Sequence, residues 1–308
     1  MPTTPVTPVL TADPGDARPL PTAAPGVYIY TEAFESVIAG LRRAIAALAA
    51  DEPFLKLALP PVISRAAIER AGYAKSFPNL LGTVHSFAGT DAEWRKLAPN
   101  AVEGGPWHAQ QTISDLVLPP AACYPTYAAL EDQVLDTPAR FAVEAHCFRQ
   151  EATSEPGRLR TFRMLELVTA GTEEHCVGWR GAWLERVADW LAGMSLKPAV
   201  EVADDPFFGR GGTVYQAAQR AKQLKFELRV AVGPDRVQAV ASANFHEDHF
   251  GRVYGFTADG APGRTACTAF GLERLALALI AAHGPRPEQW PDTISRQPPG
   301  GGESFTAN

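Results

Sequence analysis

The sequence predicts an α+β fold: an antiparallel sheet flanked by helices. Short runs of strand-like residues recur along the chain, few helical patterns separate them, and two pairs of runs are joined by turns containing Pro156-Gly157 or Gly233-Pro234-Asp235. A doubly wound sheet would need a helix after nearly every strand. With 308 residues, 46% hydrophobic and 20% charged, the chain buries a full core without disulfide or metal.

Residues 1–25 mix Thr, Pro and Asp with few large apolar side chains, and read as a disordered N-terminal tail. They lack the basic start and apolar run of a signal peptide. Over 31–50, Phe34, Val37, Ile38, Leu41, Ile45 and Leu48 recur at helical spacing, with Glu32, Glu35, Arg42 and Arg43 on other faces. That is an amphipathic helix, ended by residues 51–53. Short strands follow at 54–59, 82–87 and 115–118, with a helix over 64–72 begun by Ser64 and another over 124–133 after Cys123. Residues 141–150 and 160–169 form two strands joined by the polar turn 152–159. A helix over 173–192 carries Trp183, Val187, Trp190 and Leu191 on one side, strands 224–232 and 236–243 make a second hairpin, and 271–282 is an apolar closing helix. From Gly284 the chain turns to Pro, Gly and Gln. The expected division is a tail over 1–25, one folded domain over 26–285 and a disordered C-terminal tail over 286–308.

No run approaches the roughly eighteen apolar residues of a membrane span, so a cytoplasmic protein is expected. Cys123, Cys147, Cys176 and Cys267 form no CxxC pair. In a reducing compartment such thiols are buried, catalytic or metal-ligating, and spacing does not choose among these. The net charge of −6 argues against broad nucleic-acid binding, which draws on clustered Lys and Arg.

The most informative segment is Phe148-Arg149-Gln150-Glu151, then the turn, then Arg158-Leu159-Arg160-Thr161-Phe162, with Glu166 beyond. Downstream, Gly271-Leu272-Glu273-Arg274 opens a helix. Any one of these arginines alone reads as a solvated surface charge. Together, in this order, they resemble motif 2 (fRxE, loop, RxxxF) and motif 3 (GxxR) of the class II aminoacyl-tRNA synthetases, whose fold is an antiparallel sheet flanked by helices. The resemblance implies that Arg149 contacts the α-phosphate of ATP and the attacking carboxylate, Glu151 the adenine amino group, and Phe162 the adenine face. Arg158 and Arg274 then hold the γ-phosphate, which makes Arg149 and Arg274 the catalytic pair. Attack on an α-phosphate needs mainly positioning and charge neutralisation, and the arginine fork supplies both. Residues 59–63 and 72–78 look like the motif 1 region, although Pro60-Pro61 reads equally as a strand terminator.

Ala122-Cys123-Tyr124, Glu166, residues 241–246 and Cys267 are similar to the zinc-dependent, archaeal-type seryl-tRNA synthetase core. The segments Asp205-Pro206-Phe207-Phe208-Gly209, Lys225-Phe226-Glu227-Leu228 and His246-x-x-His249-Phe250-Gly251 resemble its truncated relatives still more closely, the amino acid:[carrier protein] ligases. The likeness covers residues 55–283. It implies one Zn²⁺ held by Cys123, Glu166 and Cys267, with the fourth position left for the substrate amine, an open three-ligand site of the functional kind. From spacing alone the two cysteines read as small buried hydrophobes, and only the motif context reverses this. Asn244 helps to orient ATP. Related synthetases place a Mg²⁺-binding carboxylate where this chain has Gln238, with Glu227 a substitute. His246 and His249 read as a loop beside the site, and Cys147 and Cys176 as core.

The implied reaction adenylates a small amino acid, glycine, alanine or an analogue such as an N-substituted glycine of natural product biosynthesis. It then hands the aminoacyl group to the phosphopantetheine thiol of a carrier protein. The stretch ahead of the first strand leaves no room for a tRNA-binding domain and no Lys/Arg-rich arm is present, so tRNA is not the expected acceptor. The alternatives are a seryl-tRNA synthetase-like enzyme and a non-catalytic regulatory paralogue, in which the motif residues retained here would decay. The resemblance also implies a homodimer through the motif 1-like stretch, to which the apolar stripe of the 31–50 helix adds a surface needing a partner. Arg180, Arg186, Arg210, Arg220 and Lys222 are the candidate docking residues for an acidic carrier.

Overall fold

A computed structural model of the chain describes residues 13–102, 104–153 and 155–291. Seven strands build its central sheet: β1 (Leu55–Ala58), β2 (Ala139–Phe148), β3 (Thr161–Gly171), β4 (Ala199–Val202), β5 (Lys225–Gly233), β6 (Arg236–Phe245) and β7 (Arg264–Gly271). They lie in the order β4-β5-β6-β7-β3-β2-β1. The β2–β3 and β5–β6 hairpins form at the two turns expected, with Asp235 at φ 55 in the left-handed region. Every pair is antiparallel except β1, which runs parallel to β2. The antiparallel sheet expected is present, with this one edge strand the exception: several short elements intervene between β1 and β2, so no tight turn dictates their direction.

Helix α1 (Glu32–Leu48) is capped by Thr31, whose hydroxyl accepts from the Phe34 N–H. With α2 (Tyr124–Ala128), α3 (Glu173–Gly193), α4 (Gly212–Ala221), α5 (His249–Tyr254) and α6 (Leu272–His283), it completes the frame. Phe34, Ile38, Leu41 and Ile45 of α1, Trp183 and Leu191 of α3 and Leu275 and Leu279 of α6 pack with Leu165, Leu167 and Phe270 of the sheet in one buried core. The apolar stripe of α1 is therefore covered by its own chain. The expectation that it needs a partner surface is corrected, because the sheet itself buries it.

Strand β7 escapes a reading by pattern. Thr265, Ala266, Cys267, Thr268, Ala269 and Phe270 are all buried, and a central strand covered on both faces loses the polar–apolar alternation that marks half-exposed strands. The ends hold a second surprise. Residues 13–25 and 286–291, assigned by composition to tails, pack on the domain: Ala17 is buried and its N–H donates to Pro285 O at 2.7 Å. Leu20–Pro21 pairs with Tyr28–Ile29, and buried Trp290 donates from Nε1 to Gly284 O at 2.9 Å. Proline limits ladder bonds without preventing such edge contacts. The rest of both expected tails, 1–12 and 292–308, lies outside the described residues. Among the described residues no helix is long and apolar enough to cross a membrane.

Candidate active site

Side chains alternate across a strand, so each central strand sends every second residue to the face opposite the main helical core. On β3, Leu165 and Leu167 join that core while Phe162, Met164 and Glu166 line a cavity. On β7, Ala266 and Phe270 go to the core and Cys267, Ala269 and Gly271 to the cavity. On β5, Leu228 and Val230 go inward while Lys225, Glu227 and Arg229 face the cavity. The cavity measures about 570 Å³. Cys123, Arg149, Glu151, Arg158, Phe162, Glu166, Gln238, Asn244, Cys267 and Arg274 all line it, so the residues nominated from sequence converge on one space.

One end is acidic and buried. The ligand atoms of Cys123, Glu166 and Cys267 lie within 4.8 Å of one another. Register explains part of this: Val168 and Glu166 pair with Cys267 and Ala269, which puts Glu166 and Cys267 two residues apart on one face. Cys123 arrives from a different element, the start of α2. Its neighbour Ala122 donates its N–H to Glu166 Oε1 at 2.7 Å. Asn244, directly across from Cys267, donates from Nδ2 to its Sγ at 3.3 Å. His246 Nε2 lies 3.8 Å from the same sulfur, and its Nδ1 faces Thr265 Oγ1 at 3.0 Å and the Tyr127 hydroxyl at 3.4 Å.

These groups can ionise only at one another's expense. Burial, reinforced by the Cys267 charge, pushes the Glu166 carboxyl up to about 8. The hydrogen bond to Cys267, burial and the Glu166 charge hold the Cys123 thiol well above its ordinary range, while the same bond, against burial and with help from His246, holds Cys267 well below. The groups acting on Glu166 are the two cysteines and the Ala122 N–H. A dication relieves all three costs at once, and two thiols with one carboxylate are the donor set of a soft, zinc-type ion with an open position. Cys147 shares a buried cluster with Cys123 and Cys267 without lining the cavity, Cys176 lies in the main core, and burial pushes the Cys176 thiol up to about 12. His249 begins α5 instead of standing in a loop, and its Nε2 meets Ala71 O at 3.0 Å.

The other end is basic. Arg149 hydrogen-bonds from Nη1 to Pro120 O and, at 2.9 Å, to Phe148 O. Its guanidinium stands 5.6 Å from the Phe162 ring centre. Arg274 donates to Gly157 O at 2.8 Å and to Ala239 O at 3.0 Å. Burial, with the charge of Arg158 second and the Glu227 and Glu151 carboxylates opposing, lowers it to about 10, so it stays a cation whose hydrogen bonds go to carbonyl oxygens. Arg158 is half exposed beside Glu155 at 3.9 Å. Gly157 has φ 81, and a Cβ there would fall 2.0 Å from Gln238 Oε1. Gln238 donates to Pro156 O at 3.0 Å, and its buried Oε1 has no partner among the described residues.

Among the cavity residues not nominated as site residues are Lys225 and Asp205. Lys225 holds Asp205 at 2.6 Å and Glu227 at 3.5 Å. The alternation in Lys225-Phe226-Glu227-Leu228-Arg229-Val230 places Lys225 and Glu227 on one face and was legible. Asp205 lies between elements, where no period applies; Gln219 Nε2 fixes it at 2.8 Å. The docking candidates fare differently from expectation. Arg180 donates to Gln223 O at 2.6 Å, Arg186 pairs with Asp51 at 2.8 Å, Arg220 with Asp204 and Lys222 with Glu247 at 2.9 Å. Arg210 is the one of the five with no partner among the described residues.

No protein-family model matches the chain. It is 39% identical over 281 residues to amino acid–[acyl-carrier-protein] ligase 1 of Bradyrhizobium diazoefficiens, spanning 89% of this chain and 86% of that protein. Ligase 2 of the same organism is 40% identical over 277 residues, spanning 88% and 82%. Among solved structures, M. kandleri SerRS, in complex with A. aeolicus tRNASec, superposes with a TM-score of 0.76 at 21% identity. That match covers 90% of this chain and 57% of the other, so the chain spans little more than half of it, and the likeness carries the fold: a class II synthetase catalytic core.

Proposed function

The chain belongs to the amino acid–[acyl-carrier-protein] ligase family and is a ligase, and from that premise we propose that it uses ATP to adenylate a small amino acid and passes it to a phosphopantetheine thiol on a carrier protein. The observation that carries this reading is the single cavity joining a buried acidic triad to an arginine cluster. An amino acid presents an amine at one end and a carboxylate at the other. The triad suits the amine end, and Arg149, 5.6 Å from the Phe162 ring centre, suits the junction of carboxylate and α-phosphate.

Bound zinc supplies a coordination position for the neutral amine, with Cys123, Glu166 and Cys267 as its protein ligands. Asn244 and His246 orient Cys267. Phe162 offers a face for adenine and Glu151 a carboxylate for its amino group, while Arg158 and Arg274 meet the terminal phosphate. Gln238 Oε1, which has no partner among the described residues, and the Glu227 carboxylate, which also pairs with Lys225 and Arg229, are the oxygens we assign to Mg²⁺. Near the triad, Tyr127 and Phe250 stack at 3.7 Å and Tyr124 stands edge-on to Phe250 at 5.9 Å. This aromatic wall favours a side chain the size of hydrogen or methyl, glycine, alanine or an N-substituted analogue, with about 1–3 kcal/mol separating neighbours. A reducing, cytoplasmic setting keeps the triad thiols free.

The chain acts as a homodimer, for which the exposed edge strand β1, with Leu55 59% exposed, offers a surface. Light scattering at micromolar concentration checks this, and a monomer contradicts it. The reaction itself is tested by amino-acid-dependent exchange between pyrophosphate and ATP, followed by addition of holo-carrier protein or tRNA. Exchange with thioester formation on the carrier is expected. Exchange with charging of tRNA alone overturns the acceptor, and no exchange with any small amino acid overturns the enzyme reading.

A further inference from the structure

Arg163 is 6% exposed and Glu273 2% exposed, and neither reaches the cavity. The Glu273 carboxylate accepts the Arg163 backbone N–H at 2.7 Å through Oε2 and the Arg163 Nε–H at 2.7 Å through Oε1. The rest of the Arg163 fork reaches both oxygens of Glu35 on α1, at 2.7 and 2.9 Å. Each partner is the direct chain neighbour of a cavity residue. Arg163 sits between Phe162 and Met164 on β3, and Glu273 precedes Arg274 in the first turn of α6.

We propose that Arg163 and Glu273 are a positioning pair that sets the distance and orientation between the Phe162 ring and the Arg274 guanidinium, and so the fit of the nucleotide. The inference rests on the reading of these two cavity residues as adenine and terminal-phosphate contacts. A buried ion pair is a poor device for stability alone, since an apolar pair of similar volume serves as well or better. What an apolar pair lacks is direction: one carboxylate bonded to both the main chain and the side chain of one residue admits a single relative placement of strand and helix. Across the β3–β7 ladder, Met164 pairs with Gly271, the last residue before α6. The ladder fixes the backbones up to that point, and the ion pair carries the constraint past the helix start to the residues on either side.

Two variants test this. Arg163→Met/Glu273→Met removes direction and keeps volume. Glu273→Gln keeps an acceptor for the Arg163 N–H and leaves Arg163 paired with Glu35, which covers the case in which the double variant does not fold. Pyrophosphate–ATP exchange gives KM for ATP and for glycine or alanine, calorimetric titration gives ATP affinity directly, and thermal melting and metal analysis report fold and metal content. The expected result is a KM for ATP raised about 10- to 100-fold, the cost of misplacing groups by around an ångström, with amino-acid KM, metal content and melting unchanged. A folded variant with wild-type KM for ATP, or with both KM values raised in parallel, overturns the proposal. If the wild type shows no exchange, the functional reading fails by itself, and the titration still decides the pair: weaker ATP binding in the variants sustains it, equal binding or none in the wild type overturns it.

Discussion

The two ends of the cavity solve opposite electrostatic problems. At one, Cys123, Glu166 and Cys267 crowd three acidic groups into a space where each is at least nine-tenths buried. At the other, Arg274 is a buried cation whose hydrogen-bond partners are carbonyl oxygens, with Arg149 and the more exposed Arg158 beside it. Arg149 and Arg274 bond to carbonyl oxygens, with no carboxylate held in the direct ion pairs that Arg163 makes with Glu35 and Glu273. Uncompensated buried charge is costly, and proteins retain it where a ligand completes it. The contrast underlies the proposal of a cation at one end and a polyanion at the other.

The contrast can be broken most severely at the acidic end. Cys123→Ser or Cys267→Ser should release the metal and reduce exchange to background, more than the roughly 10–100-fold loss typical of an outer partner. Metal analysis beside the exchange assay checks it, and an active, metal-free Cys267→Ser protein would show that the acidic end binds no ion. Next in size, Arg149→Ala should lower adenylate formation about 10²–10³-fold while melting stays near wild type, because the side chain serves developing charge and not the core. Wild-type exchange rates would sink the assignment of the basic end.

Smaller effects sharpen the comparison. Asn244→Ala removes a donor from one ligand sulfur only, so metal affinity measured against a competing chelator should fall about 10-fold with the KM for ATP unchanged. A shift in ATP affinity instead would place Asn244 with the basic end, as its expected role in orienting ATP requires. The smallest change is Phe162→Leu, which keeps the apolar contact and loses the ring. It should weaken ATP by about 1 kcal/mol, a several-fold rise in KM, with amino-acid KM unaffected.

Much of this site is written in local sequence. The strand period is imposed by covalent geometry, so Phe162, Met164 and Glu166 share a face wherever the strand lies. The spacing from Phe34 to Ile45 makes an amphipathic helix by the same local rule. The two hairpins follow from their turn residues, and the class of the fold from strands with few interposed helices. The tertiary structure alone decided the rest. Cys123 meets Cys267 because α2 and the patternless central strand β7 converge across a sheet whose register is set by distant pairings. The α1 stripe faces the sheet and not a second subunit, and the parallel direction of β1 has no turn to announce it. Arg186, Arg220 and Lys222 carry the same charge as Arg149 and Arg274 in the sequence, yet they are matched by carboxylates, while Arg149 and Arg274 line the cavity with carbonyl oxygens as their acceptors. A residue's chemistry and its place in a strand or helix are local properties; whether its charge is answered depends on what the folded chain brings within a few ångströms of it.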